Sequence, residues 1–265
     1  MSGSLSSGTA PLLEGNYWID KKSSPFEADD ITRPWPYYDP NDIVCGRYHE
    51  LMTFMAELAK ISAESINEQG MSNPLLTQQK AQSLRHNLLE WWNHCEPELR
   101  DQTSNWRQLE RPRKLTVSET LEAEALSSAK SVMMGCLIYI QHILDPFSVI
   151  PNYEVDDALR FILETAAETP EGFGLEMGLH WGLFMAGTMV FNDPCAEDLI
   201  RHKLRADNSI SIYVSLLSPY LETWLIYRQH ASRALELLEV LWKRQSQYER
   251  KFDWREVQSQ TGIQA

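Results

Sequence analysis

The sequence predicts an all-α protein, built as a single multi-helix domain of eight or nine helices. Three observations lead there. Apolar residues recur at three- and four-residue steps through most of the chain. No segment sustains two-residue alternation bounded by hairpin turns. Proline, glycine and capping residues punctuate the text at helix-length intervals.

Residues 1–40 read as a flexible or loosely docked arm, and residues 41–265 as the helical domain. "MSGSLSSGTAP" is rich in Ser and Gly, and Pro34, Pro36 and Pro40 forbid a helix in "RPWPYYDPND". From Asp42 the spacing of Val44, Tyr48, Leu51, Met55, Leu58 and Ile61 predicts a first helix. Gly70 and Pro74 end that run. Leu84, Leu88, Trp91 and Trp92 mark the apolar side of a second helix. A polar loop follows from about Glu96 to Leu115. Thr116 and Glu119 form a capping box. The long helix it opens passes through Leu126, Ala129, Met133, Leu137 and Ile140, and Asp145-Pro146 stops it. "VDDALRFILETAAET" is a shorter helix, ended by Pro170.

Next comes "GLEMGLHWGLFMAGTMVF", Gly174–Phe191, an almost wholly apolar helix. Asp193-Pro194 then supplies an N-cap with proline at the first helical position, opening a helix to about Arg205. "NSISIYVSLLSPYLETWLIYRQ" mixes strand-favouring residues with helical spacing at Leu221, Trp224, Leu225 and Arg228, and reads as a helix bent at Pro219. "SRALELLEVLWKRQSQYERKF" is the clearest amphipathic helix, and Asp253 caps a last short turn.

Composition narrows the function. The chain of 265 residues is 43% hydrophobic, which suits a packed globular body. Its formal charge of −13 argues against direct contact with DNA and against an anionic membrane surface. Cys45, Cys95, Cys136 and Cys195 lie far apart with no C-x-x-C pair, and the first sixteen residues lack a signal peptide's basic start and apolar run. The expectation is reduced, mostly packed thiols in the cytosol or nucleus. Gly174–Phe191 is the best membrane-span candidate, but it is too short and carries Glu176 and His180.

Catalytic motifs are absent or broken. An all-α acidic chain invites comparison with isoprenoid synthases, which hold magnesium on D-D-x-x-D/E and N-D-x-x-S-x-x-x-E helices. "DDALR" places Arg160, and "DDITR" places Arg33, where the third acid belongs. "NDPCAEDLI" has Ala196 and Ile200 at ligand positions. These acids read as helix-start charges. Seven scattered histidines give no H-E-x-x-H or paired E-x-x-H. Glu176 and His180, one turn apart, can touch, and read as a satisfied polar pair. No catalytic residue, metal or cofactor is assigned.

The apolar helix gives up stability for its glycines, each costing about 0.5–1 kcal/mol against alanine. Gly178, Gly182 and Ala186 form a row of small residues, fit for close helix packing. Met177, Trp181, Met185 and Met189 form the row beside it. This second row, with Met133 and Leu137 of the long helix, is the candidate effector pocket; an ordinary core is the competing reading.

Two stretches carry a family resemblance. "HWGLFMAGTMVFNDPCAEDLIRHKL" and "SRALELLEVLWKRQSQYERKFDWREV" resemble the C-terminal part of the fungal-specific transcription factor domain, the regulatory region of zinc-binuclear-cluster regulators. That family reads W-P-L-F-x-A-G, a capped acidic helix, R-A-L-E-x-L-x-x-x-W, then D-W. Trp181, Leu183, Phe184, Ala186 and Gly187 match, as do Arg233, Ala234, Leu235, Glu236, Leu238, Trp242, Asp253 and Trp254. Gly182 replaces the usual proline. The resemblance implies a nuclear, helical regulatory domain, not an enzyme, that takes an apolar small-molecule effector, a second copy of itself or a coregulator protein. The family's six-cysteine zinc module has no counterpart among these four cysteines. The chain is therefore expected to make no DNA contact of its own, either as a fragment of a longer regulator or as a form without that module. The alternatives are a ligand-free interaction module and, further off, a helical enzyme with degenerate metal motifs.

Overall fold

The computed structural model describes residues 43–66, 74–101, 117–148, 152–169, 179–206 and 221–263. Among them it shows nine helices and no strand, as the periodicity predicts. The helices are α1 Ile43–Ile66, α2 Pro74–Asn93, α3 Pro97–Arg100, α4 Val117–Leu144, α5 Tyr153–Glu168, α6 Leu179–Met189, α7 Pro194–Ala206, α8 Leu221–Tyr248 and α9 Trp254–Thr261. The arm at 1–40 and the predicted bend at Pro219 lie outside the described residues. So do Glu176, Met177 and Gly178. α3 is a single turn inside the stretch predicted as a loop, with Pro97 at its first position.

The chain divides into two compact units, residues 1–99 and 100–265. In the first, α1 and α2 pair antiparallel. Arg47, near the start of α1, forks onto Glu96 beyond the end of α2 at 3.0 and 3.1 Å. Lys80, early in α2, meets Glu64 late in α1 at 2.6 Å. Between these pairs the Trp91 indole donates to Glu50 at 2.6 Å and packs on Phe54. Hydrogen bonds from Glu96 and Glu50 hold the Arg47 pKa above its ordinary value, and Arg47 holds the Glu96 carboxyl below the usual range.

The second unit is organised around α4 and α6. α4 is buried on every side from Leu126 to Ile140, and α6 at every residue except His180. α6 touches α4, α5, α7 and α8. Such an element has no solvent face, so it must be apolar all round. The flanking caps form as the sequence predicts. Asp193 accepts from the Cys195 and Ala196 amides at 3.1 Å, and Asp253 from the Arg255 amide at 2.9 Å. At α5 the cap is Asn152, which accepts from the Val155 amide. Asp157 instead pairs with Arg160, the cation standing where a third metal ligand belongs.

Glycines set the distances between these helices. A Cβ on Gly135 of α4 would fall into the Trp181 ring, within 2.7 Å of Cε3. One on Gly182 of α6 would strike the Ser131 side chain and lie 3.1 Å from the Ser131 carbonyl oxygen. One on Gly187 would sit 2.6 Å from Cδ1 of Leu238 in α8. The sequence identified Gly182 as a packing glycine, and Gly135 and Gly187 do the same work. The usual proline of the family at position 182 would occupy the space that Ser131 takes.

Gly187→Ala is expected to destabilise the fold. Overpacking costs about 1–3 kcal/mol, against about 1 kcal/mol gained in helix propensity. Leu238 is fully buried, so its side chain must turn within packed surroundings to admit the new methyl. In urea unfolding, the double variant Gly187→Ala/Leu238→Ala should lose less than the sum of the single losses, because truncating Leu238 makes room for the new methyl.

Candidate functional site: a buried helix junction and the cleft beside it

A helix leaves its last carbonyls without intrahelical partners, and a buried helix end must find them elsewhere. Three helices of the second unit end this way, and each is closed by a side chain from later in the chain. The Trp242 indole of α8 donates to the Gly187 carbonyl in the last turn of α6 at 2.9 Å. The Arg255 guanidinium of α9 donates to the His142 carbonyl in the last turn of α4 at 3.0 Å. Lys203 of α7 donates to the carbonyl of Thr169, the C-cap of α5, at 2.7 Å. Gly187, Trp242 and the Asp253-Trp254 pair are the residues on which the family resemblance rests.

The Asp253-Trp254-Arg255 turn is itself buried. Trp254 is fully enclosed, with Tyr139, Phe184 and His142 around its rings at centroid distances of 5.5, 5.2 and 6.5 Å. The Asp253 carboxylate takes the Arg255 guanidinium at 2.7 Å, the two side chains 8% and 9% exposed. That bond raises the Arg255 pKa against the opposing pull of burial. A buried pair of this kind survives because both partners are hydrogen-bonded.

His142 is the buried titratable group of the junction. Thr188 gives its hydroxyl proton to the Met185 carbonyl at 2.6 Å, so His142 Nε2 carries a proton and donates to Thr188 Oγ1 at 2.7 Å. Nδ1 is then a bare, buried lone pair without a partner. Burial lowers the His142 pKa to about 3, with Asp253 opposing and Arg255 and Lys251 assisting.

The two rows of the apolar helix are now placed. Trp181 and Met185 are buried on the side of α6 facing α4 and Met189 is buried beside them. Gly182 meets Ser131, and Ala186 is fully buried. Ser131, Gly135 and His142 form the stripe of α4 that meets α6. Met133 and Leu137 stand about 200° around the helix from Ser131 and Gly135, two residues on. They are buried, on the flank of α4 turned away from that stripe. Polar atoms near this contact without a hydrogen-bond partner include Trp181 Nε1, Ser131 Oγ, His142 Nδ1 and Trp254 Nε1.

A cleft of about 300 Å³ lies beside the junction, between the start of α7 and the second half of α8. Trp242 and Gln245 form buried parts of its wall, with Glu197, Arg201, Glu239 and Lys243 around them. Arg201 is the hub. It binds Asp198, reaches Glu239 at 2.7 Å and stands 5.5 Å above the Trp242 ring. Sequence reasoning missed this cleft, since its walls come from segments some forty residues apart. No group of acids, histidines and cysteines among the described residues is placed to hold a metal ion. The buried Cys95 thiol donates to the Trp91 carbonyl at 3.4 Å, Cys136 is a buried thiol with its pKa pushed up by burial, and Cys195 is an exposed one.

A family model described as the fungal specific transcription factor domain matches residues 1–264. The chain belongs to that family. This fungal-specific transcription factor domain is thus part of a transcription regulator, and hence of a nuclear protein, and its family is one of regulators rather than enzymes. No curated protein and no solved structure matches the chain. No helix among the described residues is long and apolar enough to cross a membrane. Within the domain, the two stretches of family resemblance are partners in one structure: Trp242 and Leu238 close on Gly187, and Trp254 packs edge-on against Phe184.

Two outcomes test this junction. Trp242→Phe removes the donor and strands the buried Gly187 carbonyl, so urea unfolding should show a loss of about 1–3 kcal/mol. The second concerns pH. With its folded pKa near 3 and its unfolded value near 6.5, His142 takes up its proton more readily in the unfolded chain. The stability due to its neutral form is complete above about pH 7.5 and falls as pH drops toward 3. Between pH 7.5 and 5 the loss should be about 2 kcal/mol, steepening toward about 1.4 kcal/mol per pH unit below pH 6. His142→Gln, which keeps a donor for Thr188, should flatten that part of the stability curve.

Proposed function

We propose that this domain is the effector-responsive regulatory part of its transcription regulator, and that the α4–α6 contact takes an apolar small molecule carrying one or two polar groups. The supporting observation is the unpartnered Trp181 Nε1 and Ser131 Oγ in a buried contact between two helices. A buried polar group without a partner costs about 1–3 kcal/mol, and a ligand's hydroxyl or carbonyl would recover it. Trp181, Met185 and Met189 supply soft, polarisable walls that reshape around such a molecule. Because α6 also meets α5, α7 and α8, a ligand seated against it biases the whole unit.

A thermal-shift screen with sterols, fatty acids and other apolar metabolites tests the reading. A ligand at about a hundred times its Kd adds about 2.7 kcal/mol, or a rise of about 5–10 °C for a unit of this size. Trp181→Phe, which keeps the ring and removes the donor, should weaken binding of ligands with a polar group and spare those without one. No shift across the panel would leave the glycines as packing devices and the domain as a module acting through a second copy or a coregulator protein.

A further inference from the structure

We propose that α9 is a proton-released latch: it lifts off the second unit as one piece when His142 takes up a proton, while α4 to α8 stay folded. The device stands whether or not the α4–α6 contact takes a ligand.

α9 is self-contained. The Asp253 carboxylate caps its first turn, and Gly262, at φ 70°, ends it with an amide that donates to the Gln258 carbonyl. The Thr261 hydroxyl donates to the Val257 carbonyl at 2.8 Å. A helix whose ends are met by its own residues gives up none of those bonds on leaving. Of its eight residues only Trp254 and Val257 are buried, whereas α6 is buried at every residue except His180. Elements with few buried apolar contacts open first. One exposed turn joins α9 to α8, and in it Glu249 holds the left-handed region at φ 52°. That conformation is costly for a residue with a β-carbon, and a hinge there relaxes it.

The latch sits on the histidine. Trp254 packs edge-on against the His142 ring, and Arg255 holds the His142 carbonyl at 3.0 Å. His142 Nε2 donates to Thr188, and a second proton on Nδ1 finds no acceptor while α9 is docked. The charged groups around the ring arrive with the latch. Asp253 favours the proton but already takes the Arg255 guanidinium, and Arg255 and Lys251 oppose it. α6 offers the uncharged Thr188 hydroxyl. On α4 itself, Asp145 acts on Lys251 and Tyr139 lies against Trp254.

Docking and protonation therefore exclude each other. Burial under the docked latch contributes to holding the His142 pKa down at about 3. Lifting α9 removes the Trp254 cover and both opposing cations, so the ring titrates near its ordinary value of 6.5. The open form binds the proton more tightly, and falling pH favours it. Opening uncovers an aromatic socket lined by Tyr139 and Phe184. The bond from Trp242 to the Gly187 carbonyl is made without α9, so the joint between α6 and α8 persists.

The test is hydrogen–deuterium exchange of the full chain at about pH 7.5 and about pH 5.5, corrected for the intrinsic exchange rate at each pH. Amides at 257–262 in α9 should be less protected than those at 183–189 in α6, by roughly tenfold or more at both pH values, the mark of a local opening. Their protection should fall by about tenfold from the higher pH to the lower, the ratio that linkage gives for these two His142 values. His142→Gln, which keeps a donor for Thr188 and does not titrate, should abolish that fall. Equal protection of α9 and α6 overturns the proposal, because α9 then opens only with the whole unit. So does α9 protection that the pH change leaves as it was, or a fall that His142→Gln retains. The first two of these results are read on the unaltered chain, so the proposal can fail even if the variant does not fold.

Discussion

The second unit depends on how its buried helix ends are closed. A helix that stops inside a protein brings carbonyls with no water to bond them. In α4, α5 and α6 a carbonyl at or next to the C-terminal end takes a side-chain donor, from Arg255, Lys203 and Trp242. Each donor lies downstream of the end it closes, by 113, 34 and 55 residues. The unit therefore cannot be finished until its C-terminal helices are in place. Two of the three closures also carry a cation inward, which explains how an acidic chain keeps Arg255 and Lys203 buried: each is spent on a specific oxygen.

The glycines follow from the same constraint. An indole reaches the α6 carbonyl only if α8 lies close, and Gly187 against Leu238 allows that approach. The opposite face of α6 repeats the device with Gly182 at Ser131 and Gly135 beneath Trp181. The short helix is clamped from two sides, and the helix propensity it forgoes, about 0.5–1 kcal/mol per glycine, is offset by dispersion and by a satisfied buried carbonyl.

Much of this was legible in the sequence where the signal is local. The N-caps Asp193 and Asp253 and the stop at Asp145-Pro146 are each written within four residues. The buried state of α6 follows from its composition alone. The partners across space were not legible. Gly135 ends a row of small residues at four-residue steps, Ala123, Ser127, Ser131 and Gly135, which marks a close helix contact but does not name the Trp181 ring as its partner. Met133 and Leu137 share a row of α4, but the row that meets α6 is the one of Ser131, Gly135 and His142. The cleft was hidden for the same reason: Glu197 and Gln245 converge only after α7 has packed on α8. Helical period tells which residues share a face, not what that face meets.

The residues of the family pattern hold one another in place. Leu238, Trp242, Phe184, Gly187 and Trp254 are contact partners of one another, so the pattern by which the family is known describes a joint. A joint can be common to proteins that sense different molecules. Two buried nitrogens without a hydrogen-bond partner, Gln245 Nε2 and Trp181 Nε1, are each joined to that contact by a short step along a helix. Gln245 lies three residues beyond Trp242, and Trp181 opens the same motif that Gly187 closes. A change at either residue therefore acts on the helix end against which the rest of the unit packs.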